Sequence, residues 1–303
     1  MISQILPQNL SHTWRDFLTP GLEDVLKKVG NNISPDAVDM FNFALLTPVE
    51  DIKLVIIGQD PYPKDAQGLA FSSRFRVEKS LNTIFQNIIN SGLADEKDLS
   101  HDLTYWAKQG VLLMNSALTT EKNIIGAHSK IWIPYTTQLI VKLDNYFQQN
   151  NKFVIYSLMG NDAQKIATDA AIRSLKICSQ HPSPLANNRL EKEKRFENLD
   201  IFALANRQFL NNNIIPIAYK RIKTEAFYTD GSCAPNKKCP EAVAGYGIYF
   251  SEGHLNGFKV IGNLETPPDA SNNRAEGIAI LRGLIFSRYH MKLDEYKYSG
   301  YDY

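Results

Sequence analysis

Four short, almost wholly apolar segments recur along the first 180 residues, and they constrain the fold more than any other feature. They are residues 54–57, 111–114, 153–158 and 175–178. Apolar runs of this length are typical of parallel strands that are buried on both faces. Helical patterns lie between them, at residues 80–90, 135–147 and 163–173. This alternation predicts a doubly wound α/β domain with a four-stranded, mainly parallel sheet flanked by helices.

Each apolar run is followed by a polar or turn-forming segment. The four segments read GQDPY, NSALT, MGND and QHPSPL. In an open parallel sheet, ligands bind in the crevice beyond the carboxyl ends of the strands, so these segments are expected to meet at one site. They bring Asp60, Asn115 and His181 there: an acid, an amide and an imidazole.

Bulk composition excludes several classes of protein. The 303 residues suffice for about two domains, and a formal net charge of +1 means that any affinity for nucleic acid must come from a local patch. No run approaches the length of a membrane span, and the first residues do not resemble a signal peptide, so we expect an intracellular protein without membrane contact. Three cysteines, Cys178, Cys233 and Cys239, suit a reducing compartment and do not form a zinc-binding pattern.

The segments GQDPY…GLAFS, LLMNSALT and HPSPL resemble the signature motifs of family 1 uracil-DNA glycosylases. The resemblance runs from about residue 14 to residue 219, in the family's order and spacing. It implies an enzyme of DNA base excision repair that flips uracil out of single- or double-stranded DNA. It also implies hydrolysis of the N-glycosidic bond, leaving an abasic site, without a metal or other cofactor. A base in a duplex is inaccessible to catalytic groups, which is why such enzymes extrude it.

The same resemblance assigns roles to individual residues. Asp60 orients the attacking water and stabilises positive charge on the sugar, while His181 donates a hydrogen bond to uracil O2. The uracil pocket is implied to consist of Gln59, Tyr62, Phe71 and Asn115. In it the Asn115 carboxamide reads the base edge, Phe71 stacks on the base, and Tyr62 blocks the methyl group of thymine.

Four further residues match the family's DNA contacts. Ser80, Gly160 and Ser183 match loops that grip the phosphate backbone, and Leu185 matches the apolar side chain that fills the space left by the flipped base.

The chain departs from the family pattern at three places. Pro63 stands where a histidine usually follows DPY, the loop before Ser80 reads VEKS without prolines, and ANNRLEKEKRF follows Leu185 in place of aromatics and glycines. The DPYPKD form resembles a branch found in large DNA viruses. We expect action in the nucleus or at a site of DNA replication, with viral or host replication proteins as partners. We also expect the protein to be a monomer. An alternative is a DNA-binding replication or processivity factor with a glycosylase fold, although a pure scaffold would not need Asp60, Asn115 and His181.

A second, smaller domain is predicted after a charged linker at residues 220–225, so that the domains span residues 1–219 and 226–303. Strand patterns occur at residues 226–229, 243–250 and 258–264, followed by a helical pattern at 272–289. YTDGSC…AGYGIYF…NNRAE resembles the opening half of a ribonuclease H domain, in which Asp230 and Glu276 match two metal-binding carboxylates. Gly300 stands where a third is expected, so we expect an incomplete, inactive domain with a vestigial metal pair. A bifunctional glycosylase and ribonuclease H remains the alternative.

Overall fold

The computed structural model describes residues 6–221 and three later strand segments, 227–236, 239–250 and 259–264. The chain divides into two compact units, Met1–Arg221 and Ile222–Tyr303.

The first unit is built on a four-stranded parallel sheet. Its strands are β1 (Leu54–Gly58), β2 (Val111–Asn115), β3 (Ile155–Met159) and β4 (Leu175–Ser179). Their order across the sheet is β2-β1-β3-β4, and every neighbouring pair is parallel. The predicted four-stranded sheet is therefore confirmed, including all four strand positions to within about two residues.

Nine α-helices surround this sheet in the described part of the first unit. They are α1 (His12–Leu18), α2 (Leu22–Val29), α3 (Asn42–Leu46), α4 (Lys79–Asn90), α5 (Thr104–Ala107), α6 (Ser129–Gln149), α7 (Asn161–Asp169), α8 (Pro184–Asn187) and α9 (Ile201–Asn211). Helix α6 packs against α1, α2 and α7, whereas α4 packs against α8, α9 and a 3₁₀ turn at Phe196–Asn198. A short antiparallel ribbon pairs Ile33–Ser34 with Thr120–Glu121.

Burial differs among the strands in a way that the apolar runs did not predict. Every residue of β1, β2 and β3 is buried, as expected for strands covered on both faces. Strand β4 lies at the edge of the sheet, and its Leu175 is 41% exposed. The expectation of a fourth strand buried on both faces is therefore wrong: Leu175, Lys176 and Cys178 are exposed, whereas β2, at the other edge of the sheet, is wholly buried.

Two helices begin or end away from their predicted positions. Helix α6 begins at Ser129 and contains Pro134, whereas the sequence pattern placed its start after that proline. Helix α7 ends at Asp169, short of the predicted residue 173, and Ala171 has a left-handed backbone with φ 49°. The helix ends in a local turn, in which the Ile172 N–H donates to the Ala167 carbonyl at 3.1 Å. After this turn, the buried Asp144 carboxylate accepts hydrogen bonds from the backbone N–H groups of Arg173 (2.9 Å) and Ser174 (3.3 Å).

The described strands of the second unit form an antiparallel meander. They are β5 (Phe227–Asn236), β6 (Cys239–Phe250) and β7 (Lys259–Leu264), in the order β5-β6-β7. Asp230 lies in β5, opposite Gly247 of β6. The predicted helix at 272–289, and Glu276 within it, lie outside the described residues.

Among the helices described here, none has the length and apolar character needed to cross a membrane.

Candidate active site

The strand order places a crevice at the carboxyl edge of the sheet. Strand β2 lies on one side of β1 and strand β3 on the other, so the connections leaving β1 and β3 diverge between them. Such a switch point is where open α/β sheets bind ligands. Asp60 follows β1, Asn115 ends β2, Gly160 follows β3 and His181 follows β4, so the structure brings the predicted residues to this edge.

The Asn115 carboxamide is held in place by shape. Asn115 is only 7% exposed and is the register partner of Gly58. A Cβ added at Gly58 would lie 2.2 Å from Asn115 Oδ1, so the amide occupies the space that a side chain there would take. None of the residues that the structure describes donates to or accepts from this carboxamide. A fixed amide with free donor and acceptor groups suits recognition of a planar, polar edge.

Beyond the ends of the strands, the loops that follow β1 and β2 are hydrogen-bonded to each other. The Gln59 carbonyl accepts hydrogen bonds from Ser116 Oγ at 2.6 Å and from the Ala117 N–H at 3.0 Å. The Gln59 side chain is exposed. These bonds fix the position of the following residue, Asp60, relative to Asn115.

Asp60 is a half-buried carboxylate with a backbone donor. Its Oδ2 accepts a hydrogen bond from the Gly126 N–H at 2.7 Å. Burial raises the pKa of Asp60 above its usual value, and the Gly126 hydrogen bond opposes that rise. A carboxylate that is poorly solvated but fixed is suited to stabilising nearby positive charge.

Tyr62 and Phe71, two of the predicted pocket residues, are linked by a hydrogen bond. The Tyr62 hydroxyl donates to the Phe71 carbonyl at 3.4 Å, and burial, with the nearby Glu78 and Asp60 charges, raises the pKa of Tyr62. Phe71 has φ 63°, a left-handed conformation that is strained for a bulky residue. Strain of this kind, of order 1–3 kcal/mol, tends to persist at functional sites.

His181 lies beside the Phe71 ring in a defined tautomer. Its ring lies 6.3 Å from the Phe71 ring, centroid to centroid, at an interplanar angle of 42°. His181 Nδ1 accepts a hydrogen bond from the Ser183 N–H at 3.0 Å, which places the imidazole proton on Nε2. Burial lowers the pKa of His181, against the opposing charge of Asp162. His181 is thus a neutral donor through Nε2.

Glycine is required at position 160 to make room for that histidine. Gly160 has φ 95°, and a Cβ there would lie 2.9 Å from His181 Cβ. Its N–H donates to the Ser179 carbonyl at 2.9 Å, joining the ends of β3 and β4.

The other predicted DNA contacts surround these groups. Ser183 caps α8, its Oγ accepting from the Ala186 N–H at 3.4 Å, and Leu185 on that helix is 72% exposed. Ser80 lies in the first turn of α4, two residues after Glu78, whose charge acts on Tyr62. The described residues contain no cluster of His, Cys, Asp and Glu that could hold a metal ion.

Two important residues were missed by sequence reasoning. Gly126 supplies the donor to Asp60 although they are 66 positions apart, and no local signal indicates it. Gly58 was included in the GQDPY motif without a role, although a glycine ending an apolar strand is a recognised sign of close approach by another group.

Residues 46–222 match the model of the uracil DNA glycosylase superfamily. Uracil-DNA glycosylase 1 of Listeria innocua serovar 6a is 34% identical over 221 residues, covering 68% of this chain and 96% of that protein. Uracil-DNA glycosylase of Streptococcus mutans serotype c is 38% identical over 162 residues, covering 52% and 72%.

Solved structures give a similar result. The crystal structure of mimivirus uracil-DNA glycosylase matches with a TM-score of 0.61 and 27% identity, over 69% of this chain and 87% of that one. A mimivirus UNG variant in complex with UGI matches with a TM-score of 0.62 and 27% identity, over 72% and 90%.

Proposed function

The chain belongs to the uracil DNA glycosylase superfamily. We propose that its site excises uracil from DNA, with Asp60 and His181 as the catalytic pair. The reaction breaks the bond between uracil N1 and the deoxyribose C1′ and adds water at C1′. Products are free uracil and an abasic site. As the bond breaks, the sugar gains positive charge and the base gains negative charge, so the two partners need opposite kinds of stabilisation.

Asp60 acts on the sugar. Its carboxylate, held by the Gly126 N–H, orients the attacking water and stabilises the cationic sugar. Desolvation strengthens this attraction, since a half-buried charge is less screened than an exposed one. The raised pKa of Asp60 is consistent with a carboxylate that is costly to ionise until a cation develops beside it.

His181 acts on the leaving base. With Nδ1 occupied by the Ser183 N–H, its Nε2–H is free to donate to uracil O2. A neutral imidazole stabilises the uracil anion by donating a hydrogen bond, without transferring a proton to it, and the lowered pKa of His181 supports the neutral state at neutral pH.

Base selection follows from the pocket residues. The unpaired Asn115 carboxamide matches the acceptor O4 and the donor N3–H of uracil, and Phe71 offers a ring for stacking. In this proposal Tyr62 blocks the methyl group of thymine, and Gln59 lines the pocket.

The convergence of Asp60, Asn115 and His181 at one sheet edge carries this proposal: Asp60 and His181 are held by hydrogen bonds from neighbouring loops, and Asn115 is held by its close fit against Gly58. It is tested by incubating the protein with a single-stranded oligonucleotide containing one uracil, in EDTA, and measuring both bound DNA and free uracil. Release of uracil supports the glycosylase without a metal cofactor. Binding without release would instead favour a replication or processivity factor that keeps the fold.

We further propose that the second unit is a ribonuclease H-like segment that does not cleave RNA. The support is the antiparallel meander β5-β6-β7, with Asp230 in its first strand, together with the resemblance of its sequence. The test is degradation of a labelled RNA–DNA hybrid in Mg²⁺ and in Mn²⁺, with Asp230→Asn as control. Cleavage that needs metal and disappears in Asp230→Asn would make the protein bifunctional.

The setting of the activity is also a proposal. We propose a monomer that acts inside the cell, in the nucleus or wherever viral DNA is replicated, alongside viral or host replication proteins. The DPYPKD form and the likeness to a mimivirus enzyme support this. Light scattering of the purified protein tests the first part, since a dimer would give twice the 34.3 kDa mass of a single chain.

A further inference from the structure

We propose that Asn187 is a positioning residue: it fixes helix α8, which carries the wedge residue Leu185, against helix α4. Asn187 is then needed for uracil excision from duplex DNA but hardly for excision from single strands. This inference rests on the proposed function, in which Leu185 fills the gap left by a flipped base.

Leu185 lies on an element that cannot support itself. Helix α8 has only four residues, and an isolated helix of that length is unstable in water. Leu185 is 72% exposed, so its own side chain contributes little packing to hold the helix in place. Entering a base stack requires the side chain to push against DNA, and the helix must therefore be braced by other residues.

Asn187 is the buried residue at the end of that helix. It is 5% exposed, and its N–H donates to the Ser183 carbonyl at 3.0 Å. Its carboxamide uses both ends: Oδ1 accepts from the Phe196 N–H at 2.8 Å, and Nδ2 donates to the Glu197 carboxylate. Asn187 thereby ties α8 to the 3₁₀ turn at Phe196–Asn198.

That turn is fixed in its own right. Phe196 is fully buried, and its carbonyl accepts a hydrogen bond at 2.6 Å from Nδ2 of Asn87, a buried residue of α4. Asn87 Nδ2 also donates to the Leu199 carbonyl, and Asn90 Nδ2 donates to the Glu197 carbonyl at 2.9 Å.

The chain of contacts connects two parts of the proposed DNA-binding face. Helix α4 carries Ser80 in its first turn and Asn87 two turns later. Ser80 and Leu185 are therefore connected by helix α4 and by buried amide hydrogen bonds. These bonds run from Asn87 to Phe196 and from Phe196 to Asn187, which lies on the same short helix as Leu185. It lies where ANNRLEKEKRF departs from the family pattern, and the brace uses residues of that segment and the turn after it.

The test compares single-turnover uracil release from duplex and single-stranded oligonucleotides of the same sequence. We expect Asn187→Ala to lower the duplex rate by about tenfold and the single-strand rate by less than about twofold, because only a duplex must be wedged open. Asn187→Asp keeps the acceptor for the Phe196 N–H but sets a carboxylate against Glu197, and we expect a loss on the duplex of similar size. Asn188→Ala is the matched control: an adjacent, exposed asparagine, expected to change both rates by less than about twofold.

The second arm places Asn187→Ala in a Leu185→Ala background, where it should lower the duplex rate by less than about twofold further, since a brace has no effect without the wedge. Equal losses on both substrates, additivity with Leu185→Ala, or a loss in Asn188→Ala as large as in Asn187→Ala would each overturn the proposal. A wild-type protein that releases no uracil from either substrate would instead overturn the proposed function beneath it.

Discussion

At the scale of single residues, Asn115 determines which base the pocket accepts. Asn115→Asp replaces the amide donor with a second acceptor, which no longer matches uracil O4 but can accept from the amino group of cytosine. We expect the rate of uracil release to fall by about 10- to 100-fold, because one bidentate contact to a base usually contributes that much discrimination. We also expect slow release of cytosine to appear. Oligonucleotides carrying one uracil or one cytosine, with wild type as the control for cytosine, provide the measurement. Unchanged uracil kinetics would exclude Asn115 from base recognition.

Asp60 should cost the protein stability in exchange for function. The pKa of Asp60 is higher in the folded state than in the unfolded state, so the ionised carboxylate destabilises the fold at pH values above the folded-state pKa. This destabilisation is lost as the pH falls from the folded-state pKa to below the unfolded-state pKa. Asp60→Asn keeps an oxygen for the Gly126 N–H and removes the charge. We therefore expect a higher Tm than wild type at pH 7 and a difference near zero at about pH 3.5, below the usual aspartate value. Thermal unfolding of both proteins across that range checks this, and a variant less stable at pH 7 would contradict the argument.

The sequence motifs predicted where the candidate site residues lie, but not which groups hydrogen-bond to them. Asp60, Asn115 and His181 stand where polar residues after parallel strands were expected to meet. What holds them was not predictable, because the Gly126 donor comes from a loop 66 residues from Asp60. The tautomer of His181 likewise depends on the local turn that brings the Ser183 N–H to Nδ1.

At the scale of secondary-structure elements, the turn from β3 into α7 positions His181. Gly160→Ala introduces a methyl group 2.9 Å from His181 Cβ at a positive φ, so we expect uracil release to fall by about tenfold or more as the imidazole moves. Gly92→Ala is the matched control: Gly92 also has a positive φ, of 69°, but a Cβ there meets nothing within 4 Å. Both changes should lower stability by about 1–2 kcal/mol. Equal activities in the two variants, measured with stability on the same samples, would show that His181 tolerates displacement.

Element types were predictable because apolar runs of strand length and helical periodicity are local signals. Element ends and burial depended on distant residues. Beyond the end of helix α7, the backbone N–H groups of Arg173 and Ser174 donate to the carboxylate of Asp144 on α6, a contact that no local pattern indicates. Strand β4 resembles a central strand in sequence, but its position at the sheet edge follows from the order of all four strands.

At the scale of the whole molecule, the first unit is expected to be active alone. A chain ending at Arg221 retains Tyr219, which is fully buried and whose carbonyl accepts from Trp106 Nε1 at 3.0 Å and from the Tyr105 hydroxyl at 2.8 Å. We expect it to release uracil within about twofold of the full chain, because the proposed site lies wholly within residues 58–185. A chain ending at Asn213 loses Tyr219 and should be destabilised by about 3–5 kcal/mol, the cost of removing a large buried aromatic. A shortened chain ending at Arg221 that is folded but inactive would mean that the second unit contributes to catalysis.

The whole-molecule prediction from sequence succeeded where the pattern was complete. In the first unit the four apolar runs predicted a four-stranded parallel sheet, which is confirmed, whereas the roles of the site residues stay predictions. For the second unit, the predicted strands at 243–250 and 258–264 correspond to the meander, and the first extends to Asn236, beyond the predicted residue 229. Its proposed metal pair cannot be compared in the same way, since Glu276 lies outside the described residues.

The most direct test of the central claim is single-turnover release of uracil from a single-stranded oligonucleotide by wild type and by Asp60→Asn, in EDTA, with DNA binding measured on the same samples. Asp169→Asn, which changes an exposed carboxylate paired with Lys165, is the matched control. The account predicts unchanged binding and a rate about two to four orders of magnitude lower in Asp60→Asn only, the usual worth of a positioned acid–base group. Near-normal release by Asp60→Asn would contradict it.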